Sequence, residues 1–192
     1  MKYMGSKSRI KKFIIPIIND KAKEYTTFID AFVGGANVID SVECKNKIGY
    51  DYNVYLIALL NHVKNGNELP KEVSRELYND VRENKDSKKY DDWFVGAVGF
   101  LASYNGRFFD GGYAKPSSNR NYYDESKRNL EKQKDLFDGI IFERKDFFEL
   151  DVVNTLIYCD PPYKDTKQYG INKNFDSEKF WDKVRLLSKN NY

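Results

Sequence analysis

The tetrapeptide Asp160-Pro161-Pro162-Tyr163 combines groups that could activate an exocyclic amine. It follows an apolar segment, so we expect it at the carboxyl end of a strand, where open α/β sheets bind ligands. The prolines stiffen the loop and leave the carbonyls of Asp160 and Pro161 without ladder partners. A carboxylate and a carbonyl that accept both protons of an aromatic amine would restore its lone pair, and Tyr163 could stack on the base. The alternative is a plain proline turn at the end of a strand.

A loop of small residues and an acid after the next strand could bind a nucleotide-like ligand. The loop Asp30-Ala31-Phe32-Val33-Gly34-Gly35-Ala36 follows a buried strand, and its small residues allow a ligand to approach the backbone. Asp51 ends the next strand, where an acid can bind the two hydroxyls of a ribose. Each feature alone also fits an ordinary turn or a surface acid, since the loop is not a full GxGxxG and no Walker lysine follows. The order of the three features along the chain, small-residue loop, acid and proline loop, is stronger evidence for a ligand site than any one of them alone.

Hydrophobic periodicity and turn residues predict an α/β parallel sheet with a polar insert at roughly 62–138. Residues 93–104 could form a buried helix or a strand, and the glycines at 111 and 112 indicate turns, for which a hairpin is one possible arrangement. The final helix normally feeds a further strand, so we expect the chain to be a fragment or a truncated form. The predicted strands are 26–33, 46–50, 139–144 and 155–159, and the predicted helices are 7–19, 37–43, 53–64, 124–138 and 176–189.

Two helices carry a predicted buried stripe. In the first helix, Pro16 predicts a kink or an early end. The stripe of this helix comprises Ile10, Phe13, Ile14, Ile17 and Ile18, and that of the last helix comprises Phe180, Trp181, Val184 and Leu187.

Composition excludes several classes of protein and leaves nucleic-acid binding open. The net charge of +3 is too small to indicate a nucleic-acid binder, but residues 1–23 hold seven basic residues against Asp20 alone. This run is either a solvated helix face or a surface that faces phosphates. Two cysteines and one histidine argue against a disulfide framework, structural zinc and a Ser-His-Asp triad. We find no signal peptide and no membrane-spanning run, so a reducing cytoplasm, that of a bacterial host if the chain is phage-encoded, is the default location.

These motifs resemble those of the Dam-type DNA adenine methyltransferases, including the bacteriophage enzymes, over essentially all 192 residues. The family implies a Rossmann-like S-adenosylmethionine-dependent sheet, with the four residues Asp160, Pro161, Pro162 and Tyr163 as the catalytic motif. Lys2-Tyr3-Met4-Gly5-Ser6-Lys7 resembles the opening motif of the family, and Ala36 stands where a second spaced glycine is often found. The resemblance implies cofactor contacts from Tyr3, Lys7, Phe32, Gly34, Asp51, Asp146 and Asp160.

Within this resemblance, Asp51 would bind the ribose of the cofactor, with its methionine end as the alternative, and Asp146 would bind its adenine. Residues 1–61 and 139–192 would form the catalytic domain, and 62–138 an inserted, mainly helical target-recognition domain. Its stretch 105–113 resembles a hairpin that enters the major groove. In this domain we predict that Arg107 contacts a base and that Lys115 and Arg120 contact phosphates. The alternative for each of them is a solvated loop without a DNA contact.

The predicted activity is methyl transfer from S-adenosylmethionine to the exocyclic amino group of adenine at a specific site in duplex DNA, without a metal. Two alternatives stay open. One is an RNA or other amino-methyltransferase, because related proline loops serve other amines. The other is a non-catalytic fragment that binds DNA or cofactor, because the family continues with strands beyond residue 192.

Overall fold

The protein is described here from a computed structural model that covers residues 1–162 and 175–192. Internal contacts divide the chain into two units, which we call the sheet unit and the helical unit. No helix in the described part of the chain is long and apolar enough to cross a membrane. The sheet unit comprises Lys7–Tyr52 and Gly139–Tyr192, and the helical unit comprises Met1–Ser6 and Asn53–Asp138.

The described part of the sheet unit contains four parallel strands: β1 (Thr27–Asp30), β2 (Asn46–Asp51), β3 (Ile140–Arg144) and β4 (Leu156–Tyr158). Their order in the sheet is β3-β2-β1-β4, which confirms the predicted α/β class. Because the chain adds β2 and β3 on one side of β1 and then β4 on the other, the strand order reverses between β1 and β4. Ligands of open α/β sheets bind at such a point, outside the carboxyl ends of the strands.

An aromatic core supports one face of this sheet. Ile29 of β1 packs in a cluster with Phe147, Leu150 and residues of helix α6 (Ser177–Leu187). The Asp176 side chain caps α6 by accepting hydrogen bonds from the first backbone amides of the helix. The predicted stripe of α6 is wrong at Trp181, which is 56% exposed, whereas Phe180 and Leu187 are buried. Trp181 directly follows Phe180, so the 100° step between them turns its ring away from the core.

Helix α1 (Lys11–Ala22) departs most from the expectation drawn from the sequence. A 3₁₀ turn, Lys7–Arg9, precedes it, and the helix continues through Pro16, so the early end is not observed. Of its predicted stripe only Ile18 is buried, whereas Phe13 and Ile17 are 64% and 73% exposed. The periodic apolar residues therefore predicted a helix correctly, but periodicity alone does not determine which of those residues are buried. The predicted helix 37–43 is reduced to a 3₁₀ turn, Ile39–Ser41.

The helical unit resolves the ambiguous segment 93–104. It is helical: α4 (Asp92–Gly96) continues as a π-helix, Ala97–Leu101, in which all five residues are buried. A Cβ on Gly96 would lie 2.2 Å from the carbonyl oxygen of Tyr55, so the absence of a side chain lets α4 approach the helix that contains Tyr55. The other helices of this unit are α2 (Val54–Lys64), α3 (Arg75–Asn84) and α5 (Tyr122–Gln133), the last extended by a 3₁₀ turn, Lys134–Phe137.

Two expectations about the insert differ from the structure. The predicted boundary at residue 62 falls inside α2, and contacts assign the whole of that helix to the helical unit. The hairpin reduces to one antiparallel bridge between Ser103 and Tyr113 around the 3₁₀ turn Tyr104–Gly106. Strand pairing does not extend because Asn105 and Phe109 have φ near +55°, which interrupts the extended backbone that a ladder needs.

Candidate active site

Acidic side chains follow the carboxyl ends of all four strands. Asp30 and Asp51 are the last residues of β1 and β2, whereas Asp146 and Asp160 come two residues after β3 and β4. Parallel pairing therefore brings them to one edge of the sheet. Asp30 and Asp160 flank the point where the strand order reverses, so this edge is the expected ligand crevice.

The loop after β4 presents the predicted catalytic carboxylate beside a lysine. The Lys7 Nζ lies 2.5 Å from Asp160 Oδ2, and their side chains are only 15% and 21% exposed. Pro161 and Pro162 are half-buried. The predicted stacking residue, Tyr163, lies outside the described residues. The contact thus joins the opening motif to the proline loop, 153 positions along the chain from Lys7 to Asp160.

The loop after β1 is held by backbone hydrogen bonds and by Asp51. The amide of Gly34 donates to Asp51 Oδ2 at 3.2 Å, and the amide of Val33 donates to the carbonyl of Tyr50 at 2.8 Å. Gly34 and Ala36 both have positive φ, 47° and 56°, and Ala36 is fully buried. Ala36, which stands where the family often has a glycine, therefore has a left-handed backbone, which costs an alanine more than a glycine.

Two further predicted cofactor residues have structural contacts in the sheet unit. The ring of Phe32 lies 5.1 Å from that of Phe147, centroid to centroid, within the aromatic core. The Asp146 carboxylate accepts a hydrogen bond from the amide of Phe148 at 2.9 Å and so caps the turn after β3. The backbone amide of Lys145 donates to the carbonyl of Asp51, which fixes this turn beside the end of β2.

Asp30 is the acid whose importance the sequence did not indicate. Its side chain is 2% exposed, and Oδ1 accepts a hydrogen bond from the amide of Phe32 at 3.3 Å. Burial raises the pKa of the Asp30 carboxyl to about 8. The negative charges of Asp160 and Asp51 also raise this pKa, whereas the hydrogen bond from Phe32 lowers it. In the sequence, the one feature that could have indicated a buried acid is that Asp30 ends an otherwise apolar strand.

Cys159 lies between β4 and Asp160 and is a free cysteine. Burial, helped by the Asp30 charge, raises the pKa of its thiol to about 12. At neutral pH it is therefore a thiol rather than the reactive thiolate. No cluster of three or more His, Cys, Asp or Glu residues that could hold a metal occurs among the described residues.

The remaining predicted site residues belong to the helical unit. The ring of Tyr3 lies 5.7 Å from that of Phe100. Arg107 is half-buried and Lys115 is exposed. Arg120 is 60% exposed, but its guanidinium binds the Glu125 carboxylate at 2.8 Å. The roles predicted for these side chains, with cofactor for Tyr3 and with DNA for the other three, stay predictions.

Buried polar contacts hold the loop that carries Arg107. The Tyr78 hydroxyl lies 2.8 Å from Ser103 Oγ and donates to the carbonyl of Phe109 at 3.2 Å. Ser103 Oγ in turn accepts from the amide of Phe109 at 3.1 Å. These bonds replace the ladder that a hairpin would supply, so the loop has a defined shape without paired strands.

Comparison with known proteins gives one family and two curated relatives. The family model described as D12 class N6 adenine-specific DNA methyltransferase matches residues 3–187. The chain is 27% identical over 187 residues to the type II methyltransferase M.FokI of Planomicrobium okeanokoites. It is 26% identical over 192 residues to the modification methylase StsI of Streptococcus sanguinis. Each match covers 85% of this chain and 28% of the relative, so the chain spans under a third of the length of these proteins.

Proposed function

Since the chain belongs to the D12 class of N6 adenine-specific DNA methyltransferases, we propose that it transfers a methyl group from S-adenosylmethionine to the exocyclic amino group of adenine in duplex DNA. The observation that carries this proposal is the position of Asp160 and Pro161. They follow β4 at the point where the strand order reverses, beside the small-residue loop after β1. Acceptors for an amine and a loop for a nucleotide-like cofactor thus share one edge of the sheet.

The residues at this edge fit the cofactor. Asp51 can accept from ribose hydroxyls while it accepts from Gly34, because a carboxylate has about four lone-pair sites. The small residues of the loop after β1 let a ligand approach the backbone. Asp146 follows β3, the strand next to β2, and so lies on the same side of the sheet as Asp51. When bound, S-adenosylmethionine supplies a methyl group activated by its sulfonium charge.

The chain's own residues prepare the amine. Asp160 and the carbonyl of Pro161 accept one amino proton each, which draws the nitrogen toward tetrahedral geometry and localises its lone pair. The amine loses one proton on methylation, and this proton passes to Asp160, which already accepts a hydrogen bond from the amine. Lys7, at 2.5 Å from Asp160, holds the carboxylate in place and balances its charge. Holding the amine in line with the methyl group lowers the barrier by up to about 7–11 kcal/mol.

Recognition of the DNA site is assigned to the helical unit. Arg107 stands on a loop that buried hydrogen bonds fix, and a fixed arginine can contact a guanine edge with two hydrogen bonds. Lys115 is exposed and suits a phosphate contact. Arg120 is the weaker of the two predicted phosphate contacts because Glu125 already binds its guanidinium.

The experiment is transfer of a labelled methyl group. The chain is incubated with methyl-labelled S-adenosylmethionine and unmethylated duplex DNA, single-stranded DNA or RNA, and the digested acceptor is assayed for N6-methyladenine. We expect label in duplex DNA and none with Asp160→Ala, while Asp20→Ala, which changes an exposed acid of α1, serves as the matched control. Undiminished transfer by Asp160→Ala, or labelling confined to RNA, would contradict the proposal.

A further inference from the structure

Asp30 lies at the centre of the sheet edge rather than at its margin. In the register of the sheet it stands between Gly49 of β2 and Tyr158 of β4. Alternation along β1 places Asp30 on the face opposite to Ile29, which packs in the aromatic core. A carboxyl group is thus buried at the reversal of the strand order, where the proposed reaction takes place.

The charged groups around Asp30 come from every neighbouring element. Asp51 ends β2, Cys159 and Asp160 follow β4, and Lys7 precedes α1. Tyr158 stands beside Asp30 in the sheet, and the loop residues 31–37 carry no ionisable side chain. Lys7 is engaged with Asp160. Among the described residues, the charges of Asp51, Asp160 and Lys7 therefore act on Asp30, and no basic side chain forms an ion pair with it.

The proposed reaction removes one positive charge near Asp30, that of the cofactor's sulfonium. The methyl group must lie against the amine that Asp160 holds, so the sulfonium lies close to Asp160, whose charge already acts on Asp30. After transfer the sulfonium has become a neutral thioether. A nearby positive charge favours an ionised carboxyl group, and its loss favours the neutral acid again.

We propose that Asp30 senses the charge of the cofactor: it releases its proton when S-adenosylmethionine binds and takes a proton up when the neutral product, S-adenosylhomocysteine, remains. This inference rests on the proposed function. Asp30 is suited to the role because it is buried beside the reacting groups, whereas Asp160 is paired with Lys7 and Asp51 with the amide of Gly34.

The coupling has a definite sign. Because the pKa of Asp30 is about 8 without a ligand, the carboxyl group is largely protonated at neutral pH. S-adenosylmethionine must then displace a proton, so its affinity relative to the product increases as pH rises toward 8 and levels off above it. The gain is about ten-fold for each unit by which the sulfonium lowers the pKa of Asp30. Cofactor and product are thereby distinguished by charge, which favours exchange of product for cofactor.

The test counts protons. Binding of S-adenosylmethionine and of S-adenosylhomocysteine is measured by calorimetry at pH 7.5 in buffers of different ionisation enthalpy, and the ratio of their dissociation constants is followed from pH 6.5 to 9. The wild-type chain is expected to release more protons with the cofactor than with the product. Asp30→Asn should abolish this difference, because the amino group that both ligands carry contributes equally to the two proton counts.

A matched control is Asp40→Asn, which changes a buried acid that pairs with Lys11 at 2.5 Å and should leave the proton count as in the wild type. Equal proton release with both ligands in the wild-type chain overturns the inference without the need for a variant. A difference that survives in Asp30→Asn does the same. If both ligands bind, the methyl-transfer assay tests the proposed function independently of the proton count, and if neither binds the wild-type chain, that function fails together with the inference.

Discussion

Lys7 Nζ lies 2.5 Å from Asp160 Oδ2, so the segment before α1 and the loop after β4 meet through one ion pair that is largely shielded from water. The pair combines a lysine of the opening motif with the carboxylate of the proline loop. Charge-assisted hydrogen bonds of this kind are stronger than neutral ones and fix geometry. Lys7 and Asp160 therefore lie together within the sheet unit.

Removing this lysine is expected to slow transfer. Lys7→Met removes the close cation that holds the Asp160 carboxylate and balances its charge, so we expect the single-turnover rate to fall about ten-fold, or about 1.4 kcal/mol in the barrier. Lys12→Met, which changes an exposed lysine of α1, is the matched control and should keep the wild-type rate. Equal rates for the two variants would show that the contact has no catalytic role.

Two substitutions separate the structural role of Asp51 from its proposed role with the ribose. Asp51→Ala removes the acceptor for the amide of Gly34, which should lower the free energy of unfolding by about 1–3 kcal/mol. Asp51→Asn keeps one acceptor oxygen for that amide and should cost less than about 1 kcal/mol. Both should weaken binding of S-adenosylmethionine at least ten-fold, measured by calorimetry. Wild-type affinity in Asp51→Asn would remove the ribose contact from the proposal.

The burial of Asp30 predicts a pH dependence of stability. Its folded-state pKa is raised to about 8 from 3.8, so the folded protein binds this proton more tightly than the unfolded chain. The resulting stabilisation is complete below about pH 4 and is lost as pH rises to about 8, at up to about 1.4 kcal/mol per pH unit. Urea denaturation of the wild type and Asp30→Asn from pH 5 to 9 measures this, and a constant difference between the two would contradict it.

Gly96 tests the packing of the helical unit. In a helix, Gly→Ala ordinarily stabilises by about 1 kcal/mol, but here the new Cβ would lie 2.2 Å from the carbonyl oxygen of Tyr55. Gly96→Ala should therefore destabilise the protein by about 2–3 kcal/mol in thermal unfolding. Glu83→Ala, on the exposed side of α3, should change stability by less than about 0.5 kcal/mol. An unchanged or higher melting temperature for Gly96→Ala would refute the close contact.

The two predicted kinds of DNA contact should respond differently to substitution. Arg107→Ala is expected to relax discrimination at one base by about 1–3 kcal/mol. Lys115→Ala should weaken binding to all sequences and reduce the slope of log affinity against log salt by about one unit. Titrations of cognate and altered duplexes at several salt concentrations distinguish the two effects. If both variants bind every duplex as the wild type does, this loop does not contact DNA.

The amino-acid sequence by itself determined the class of fold and the family. Strand and helix periodicity is a local property, so it predicted the four parallel strands and their order along the chain. The motif Asp160-Pro161-Pro162-Tyr163 and the opening motif led to the adenine methyltransferases, which the family match confirms. The positions of Asp51 and Asp146 after strands also followed from the sequence, whereas their roles with a cofactor stay predictions.

Only the tertiary structure decided which surfaces are buried and which distant residues meet. The apolar stripe of α1 was visible, but its exposure at Phe13 and Ile17 depends on what packs against it. The Lys7–Asp160 contact and the burial of Asp30 likewise depend on the pairing of β1 with β4, segments more than 100 residues apart. Periodicity shows which side chains of a segment are apolar. Whether a residue is buried depends on the segments that pack against it in the fold, and the raised pKa of Asp30 follows from that burial.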